Sequence, residues 1–313
     1  MAIDKKFIDI FHNVSSQAAY AAYHLVGKKN KIAADKAAVD SMRNSLNGIN
    51  MNGEIVIGEG ELDEAPMLYI GEKLGAGNGP HLDIAVDPLE GTNFAANNLP
   101  GALSVIAVAE KNHLFNAPET YMDKIAISSA NKDVVDLDNS VTKNIKNLAE
   151  HKNTRPENLT ACLLDRPRHK QHIDELKDLN VKLKLISDGD VSGALLVTKK
   201  EYDIDIFLGI GGGPEGVLAA SALDAYGCFF QGKFLFNNDD DKLRAKKMGI
   251  DNFEKKYELN EIVSGDSIFC ATGITSGDLV KGINISNNSF TSETLVTHKS
   301  SGLKKILKST LKI

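Results

Sequence analysis

Apolar residues fall at helical spacing from the start of the chain. Phe7, Ile8, Phe11, Val14, Ala18, Ala22 and Leu25 recur three and four apart and predict a helix over 5–26, closed by Gly27. Ala38, Val39, Met42 and Leu46 repeat the pattern over 34–47, closed by Gly48. Short unbroken apolar runs then take over. Residues 54–57, 82–86 and 103–108 read as buried strands, with a short helix from Pro66 between the first two. The stretch 130–155 is charged and predicts one helix. Beyond it strands at 159–164, 181–186 and 204–210 alternate with helices at 169–179, 191–197 and 214–226. Such alternation predicts crossover βαβ units and an α/β fold. The restart near 158 predicts two lobes, 1–157 and 158–313.

Composition narrows the function. The 313 residues are 42% hydrophobic and 25% charged, ordinary for a globular chain with ample core. A net charge of −6 argues against a general nucleic-acid or membrane-surface binder. The cysteines Cys162, Cys228 and Cys270 are odd in number and widely spaced, unlike a disulfide framework or a zinc site. No run approaches the roughly 18 apolar residues of a membrane span. The N-terminal stretch with Asp4, Lys5, Lys6 and Asp9 lacks the apolar core of a signal peptide. The tail 299–313, with five lysines, reads as a solvated amphipathic end.

The chemistry concentrates at strand ends. Asp87-Pro88-Leu89-Glu90-Gly91-Thr92 follows the apolar run 82–86. Pro88 cannot donate a backbone hydrogen bond, so the strand is expected to stop there. Gly91 lets the backbone turn and approach a ligand closely. Two carboxylates and a hydroxyl suit a hard divalent cation shared with a phosphate. A plain turn whose acids cap the next helix is the alternative. A second acidic turn, Gly58-Glu59-Gly60-Glu61-Leu62-Asp63-Glu64, follows the strand at 54–57, and Lys31 and Asp35 stand at the head of the second helix. Acidic sites at the carboxyl ends of strands can converge where open α/β sheets bind ligands.

Gly211, Gly213 and Gly216 match a dinucleotide fingerprint in form. Glu215, however, would place negative charge where a pyrophosphate should sit, and Pro214 removes an amide. Glu215 either complements the helix dipole, worth about 0.3–1 kcal/mol, or reaches a cation. Arg166-Pro167-Arg168 closes a strand and opens a helix, so two guanidinium groups can clamp a phosphate. Asp188-Gly189-Asp190 closes the next strand, and its carboxylates are good diol acceptors. His169 and His172, three apart on a helix, are expected to be solvated, and no Ser-His-Asp or reactive-cysteine constellation is visible.

These motifs resemble those of class II fructose-1,6-bisphosphatases, within the lithium-sensitive, metal-dependent sugar and inositol phosphatase group. The narrowest matches are Gly58-Glu59-Gly60-Glu61-Leu62-Asp63-Glu64-Ala65-Pro66-Met67 and Gly211-Gly212-Gly213-Pro214-Glu215-Gly216. Asn116-Ala117-Pro118-Glu119-Thr120-Tyr121-Met122 and Ala271-Thr272-Gly273-Ile274-Thr275 also match. The matches run in family order from about residue 20 to 300. Arg166, often lysine in the family, and the stretches 93–98 and 237–250 depart from it.

The resemblance implies a layered αβαβα sandwich of the sugar phosphatase type, with the site in the cleft between two lobes. It implies hydrolysis of the 1-phosphate of fructose 1,6-bisphosphate with two or three Mn²⁺ or Mg²⁺ ions, in gluconeogenesis. Asp35 and Glu59 would hold one ion, and Asp87, Glu90 and Glu215 the other. Thr92, with Asp63 or Glu59, would handle the attacking water, and Lys31 would offset phosphate charge. Glu90, Gly91, Thr92, Tyr121, Arg166, Pro167, Arg168, Asp188, Gly189, Asp190 and Gly212 would contact substrate. A cytoplasmic homo-oligomer, dimer or tetramer, is expected, without nucleic-acid or membrane partners. The alternatives are a sedoheptulose-1,7-bisphosphatase or inositol phosphatase on the same metal site, a nicotinamide-dependent oxidoreductase using the 211–216 glycines, and a non-catalytic phosphosugar-binding regulator.

Overall fold

The computed structural model describes residues 2–58 and 67–313. Helices α1 (Lys6–Tyr23) and α2 (Lys31–Asn47) come first. Strands β1 (Asn52–Ile57), β2 (Lys73–Leu74) and β3 (His81–Glu90) follow, then α3 (Thr92–Ala96) and β4 (Leu103–Glu110). The middle carries β5 (Tyr121–Ile127), α4 (Val141–His151), β6 (Thr160–Leu164), α5 (Lys170–Asp178) and β7 (Lys182–Ile186). It continues with α6 (Asp190–Leu195), β8 (Ile206–Gly212), α7 (Gly213–Tyr226), β9 (Phe229–Leu235), α8 (Asp239–Lys247), β10 (Lys256–Glu258) and α9 (Leu259–Ile262). The chain ends with β11 (Ser267–Gly273), β12 (Asn284–Ser286), β13 (Ser289–His298) and β14 (Leu303–Lys312).

Two compact units result: Met1–Asn116 with Val263–Ile313, and Ala117–Ile262. The boundary expected at 157/158 falls inside the second unit, just before β6. The cause is long-range pairing. After 262 the chain lays β11 antiparallel against β4, from Ser267 opposite Ala109 to Gly273 opposite Leu103.

Among the described residues the first unit's sheet runs β12-β13-β11-β4-β3-β1-β2, with β14 on β13. Among the described strands of this sheet only β1 and β3 run parallel. Ile84 and Val86, Ile106 and Val108, and Ile268 and Cys270 are pairs two apart, so each pair points to one face. On that face they pack with Phe7, Phe11 and Val14 of α1 and Val39, Met42 and Leu46 of α2. Met42 is fully buried, and truncating such a side chain to alanine costs about 2–5 kcal/mol. The tail is exposed or half-buried along its length, as expected of a solvated amphipathic end, and it forms β14, paired with β13 from Ser289–Lys312 to His298–Leu303. Its Lys304, Lys305, Lys308 and Lys312 stay exposed, which discourages pairing with a further strand. Residues 67–72 form bends and turns where a short helix was expected.

The second unit's sheet runs β10-β9-β5-β8-β6-β7. β6 is parallel to both β7 and β8, so α5 and α6 are the expected crossovers. β5 is antiparallel to β8 and β9. Ile125, Ile127, Leu163, Ile206 and Leu208 cover one core with Ile145 and Leu148 of α4 and Leu176 of α5. No helix among the described residues is long and apolar enough to cross a membrane.

Candidate functional site

The acidic turn of the first unit is built by a β-bulge. β3 does not stop at Pro88 but runs to Glu90. Asp87 lies opposite Val105 and Glu90 opposite Leu103, so three steps on β3 match two on β4. Regular pleating would send Asp87 and Glu90 to opposite faces. One extra residue restores the phase, so both carboxylates project to the side shared by Val105 and Leu103. Proline is tolerated in a strand at such a bulge, where a ladder donor is not required. Glu90 is buried and Asp87 half-buried.

Gly91 follows with φ +78°, ψ +50°, and a Cβ there would lie 2.8 Å from the Phe94 ring. That left-handed step starts α3, whose first residue is the half-buried Thr92. α2 lies beside this turn. Ala34 and Ala38 pack with Leu89, Phe94 and Ala95. Gly27 N–H donates to Ala95 O at 2.9 Å and Lys29 N–H to Ala96 O at 2.9 Å. Asn30 caps α2 by accepting from Ala33 N–H at 3.0 Å. Lys31 is therefore exposed on the first residue of α2, and half-buried Asp35 sits one turn later. Glu59 and Asp63 lie outside the described residues. β1, parallel to β3, ends at Ile57, two residues before Glu59 in the sequence. Among the described residues no three His, Cys, Asp or Glu side chains form a metal-sized cluster.

The second unit explains the glycine run in a way the dinucleotide pattern does not. An ideal Cβ at Gly211 would lie 2.1 Å from Asp190 Oδ2, and one at Gly212 would lie 1.8 Å from Glu215 Oε2. At Gly213 it would meet the Phe234 ring at 2.7 Å, and at Gly216 the Met122 sulfur at 2.7 Å. The glycines thus make room for protein side chains, two of them acids, where a pyrophosphate would need open space. Gly212 is the N-cap of α7 and Glu215 stands in its first turn. Burial pushes the Glu215 pKa up; nearby Lys124 opposes that rise and Asp190 adds to it.

Lys124, on β5, is the residue the sequence reading passed over. Only 1% of it is exposed. Its ammonium pairs with Asp190 Oδ2 and donates to Gly212 O at 2.7 Å. A lysine in line with the apolar Met122, Ile125, Ala126 and Ile127 is the signal: a cation there must find a buried partner. Asp190 is itself buried, the first residue of α6 after left-handed Gly189. Its Oδ1 is buried without a hydrogen-bond partner.

The basic residues lie on the adjoining loop. Arg168 Nε donates to Ile210 O at 2.8 Å, and its guanidinium lies 4.9 Å from the centre of the Tyr121 ring. Tyr121 is 44% exposed. Arg166 Nη2 is 3.9 Å from Asp188 Oδ1, and Pro167 opens the 3-10 turn Pro167–His169. His169 is not solvated as expected but fully buried. Its Nδ1 donates to Leu164 O at 2.7 Å, and its Nε2 accepts from Ile210 N–H at 2.7 Å. It closes the gap where β6 and β8, paired only at Ala161–Ile206 and Cys162–Phe207, part. Burial lowers its pKa, in keeping with that neutral form. His172 is half-buried. The structure thus gathers Lys124, Asp190, Gly212 and Glu215 in the second unit, and Asp35, Asp87, Glu90 and Thr92 on adjacent elements of the first.

The proposed donors are all carboxylates, a set that fits a hard divalent cation. The family model for bacterial fructose-1,6-bisphosphatase, glpX-encoded, matches residues 6–311. A Prochlorococcus marinus (strain MIT 9515) protein is 42% identical over 297 residues, 90% of this chain and 89% of its own. A Trichodesmium erythraeum (strain IMS101) protein is 41% identical over 308 residues, with the same shares covered. Both are named D-fructose 1,6-bisphosphatase class 2/sedoheptulose 1,7-bisphosphatase. Among solved structures, the extragenic suppressor protein suhB from Bartonella henselae overlays on 63% of this chain and 73% of its own at TM-score 0.37 and 10% identity.

Proposed function

The chain belongs to the glpX-encoded bacterial fructose-1,6-bisphosphatase family, and we propose that it hydrolyses the 1-phosphate of fructose 1,6-bisphosphate to fructose 6-phosphate and phosphate. The observation that carries this reading is the bulge that turns Asp87 and Glu90 to one side, directly before Gly91 and Thr92.

Each residue has a role. Asp35 and Glu59 would hold one divalent ion, Asp87 and Glu90 would hold another, and Glu215 would supply a further carboxylate ligand. Bound Mg²⁺ or Mn²⁺ supplies an acidified water and neutralises charge on the transferring phosphoryl group. Thr92, on the first residue of α3, orients the attacking water, with Asp63 or Glu59 accepting its proton. Lys31, exposed at the head of α2, offsets phosphate charge. Arg166 and Arg168 grip the distal phosphate, and the hydrogen bond to Ile210 O leaves the terminal nitrogens of Arg168 for that contact. Tyr121, Asp188 and Asp190 read the sugar.

Sedoheptulose 1,7-bisphosphate is a second substrate of the same site, a reading supported by the double name of the relatives. A gluconeogenic role in the cytoplasm as a homo-oligomer, with inhibition by lithium, completes the proposal. Phosphate release from both bisphosphates, an inositol phosphate and an aryl phosphate, with Mg²⁺ or Mn²⁺, tests it. Release from the sugar bisphosphates is expected. Release from the inositol or aryl ester alone would refute the assignment.

A further inference from the structure

A buried ammonium is costly unless paired, and apolar residues in place of a buried ion pair often leave a fold equally stable or more so. Stability alone is therefore a weak reason for Lys124 on β5, where neighbouring Met122, Ile125 and Ala126 are buried. The geometry around Lys124 points to a better one. It pairs with a single oxygen of Asp190, Oδ2, while Oδ1 remains buried without a partner. It also donates to Gly212 O at 2.7 Å, at the end of β8. Gly211 gives the Asp190 carboxylate the space a Cβ would take. One cation thus fixes the orientation of Asp190 against the strand that leads into α7.

We propose that Lys124 is a positioning residue that holds Asp190 so that Oδ1 accepts a hydroxyl of the sugar. This role rests on the functional reading above. Lys124 touches no substrate. It acts chiefly through Asp190, so its removal weakens sugar recognition more than it disturbs the reacting phosphate, although its charge also lies near Glu215.

Four proteins test this: wild type, Lys124→Met, Asp190→Asn and the double variant. Steady-state kinetics on fructose 1,6-bisphosphate give KM and kcat, and calorimetric titration with fructose 6-phosphate, without added metal, gives a Kd independent of turnover. Lys124→Met is expected to raise KM and the product Kd about tenfold or more, the scale of a hydrogen bond to a charged group, with kcat changed far less. Adding Lys124→Met to Asp190→Asn is expected to cost nothing further in KM or Kd, since both changes break one unit. A kcat loss at constant KM, or effects that add in the double variant, would overturn the role. Should Lys124→Met alone fail to fold, the comparison of Asp190→Asn with the double variant, which carries no unpaired buried charge, decides. Wild-type protein that releases no phosphate from either sugar bisphosphate overturns the functional reading and this role with it. Wild-type activity with additive effects overturns this role alone.

Discussion

The carboxylate of Glu215 lies over the α-carbon of Gly212, where an added Cβ would come within 1.8 Å of Oε2. The backbone at 212, φ −65° and ψ 145°, is open to any residue. Only the carboxylate requires glycine there. Gly212→Ala is therefore expected to fold normally, because the far end of a flexible side chain can move aside. Activity is expected to drop at least about tenfold as Glu215 leaves its place. Glu215→Gln is expected to cut turnover by orders of magnitude, at a stability cost under about 1 kcal/mol. Near-normal turnover in both variants would reduce Glu215 to a partner of the helix dipole.

The proposed ligands are all carboxylates, so a chelator reaches the mechanism directly. EDTA is expected to abolish phosphate release, and Mn²⁺ or Mg²⁺ to restore it. Lithium is expected to inhibit. Full turnover in metal-free buffer would remove the assigned roles of Asp35, Asp87 and Glu90.

Much of the fold was legible because local pattern and global packing agree. The helical stripes of α1 and α2 and the apolar runs of β3, β4, β6 and β8 are each buried on the face their period predicts. Pro88 misled because a donor-free residue ends a regular strand, yet a bulge has a place for it. The extra residue is set by pairing with β4, invisible from β3 alone. β11 to β14 carry a mixture of polar and apolar positions, and β11, on which β13 pairs in turn, reaches back to β4 across more than 150 residues of chain. His169 and Lys124 escaped for one reason. Both are polar side chains whose partners, Leu164 O, Ile210 N, Asp190 and Gly212 O, come together only after β5, β6 and β8 assemble.

Asp266 gives the first unit an acid-sensitive clamp. Its Oδ2 accepts from Ile3 N–H at 2.8 Å and lies 2.9 Å from His298 Nε2, and its Oδ1 accepts from Ser300 N–H at 2.8 Å. Burial pushes its pKa up, but Ser300, Ile3 and His298 together outweigh that and hold it below the usual carboxylate value. A depressed folded-state pKa contributes stability above the unfolded value, about 3.9, and loses it as pH falls through the folded value. Asp266→Asn is expected to lower the melting temperature at pH 7, a loss of about 1–3 kcal/mol. The gap from wild type is expected to narrow as pH falls below about 4. A gap that stays constant with pH, followed by thermal denaturation, would show that the charge of Asp266 is immaterial.

Thr92 separates catalysis from packing. It stands on the first residue of α3, after the left-handed Gly91, and is half-buried. Its neighbours Phe94 and Ala95 pack with Leu89 and Ala34, so the turn keeps its shape without the Thr92 methyl group. A hydroxyl that positions the attacking water acts in the transition state more than in substrate binding. Thr92→Ala is therefore expected to lower kcat by about 10²-fold or more, with KM little changed. Thr92→Ser retains the oxygen and is expected to retain part of the activity. Steady-state kinetics of both variants on fructose 1,6-bisphosphate decide the matter. Equal impairment of alanine and serine would assign the loss to the methyl group, and the water-positioning role would fall.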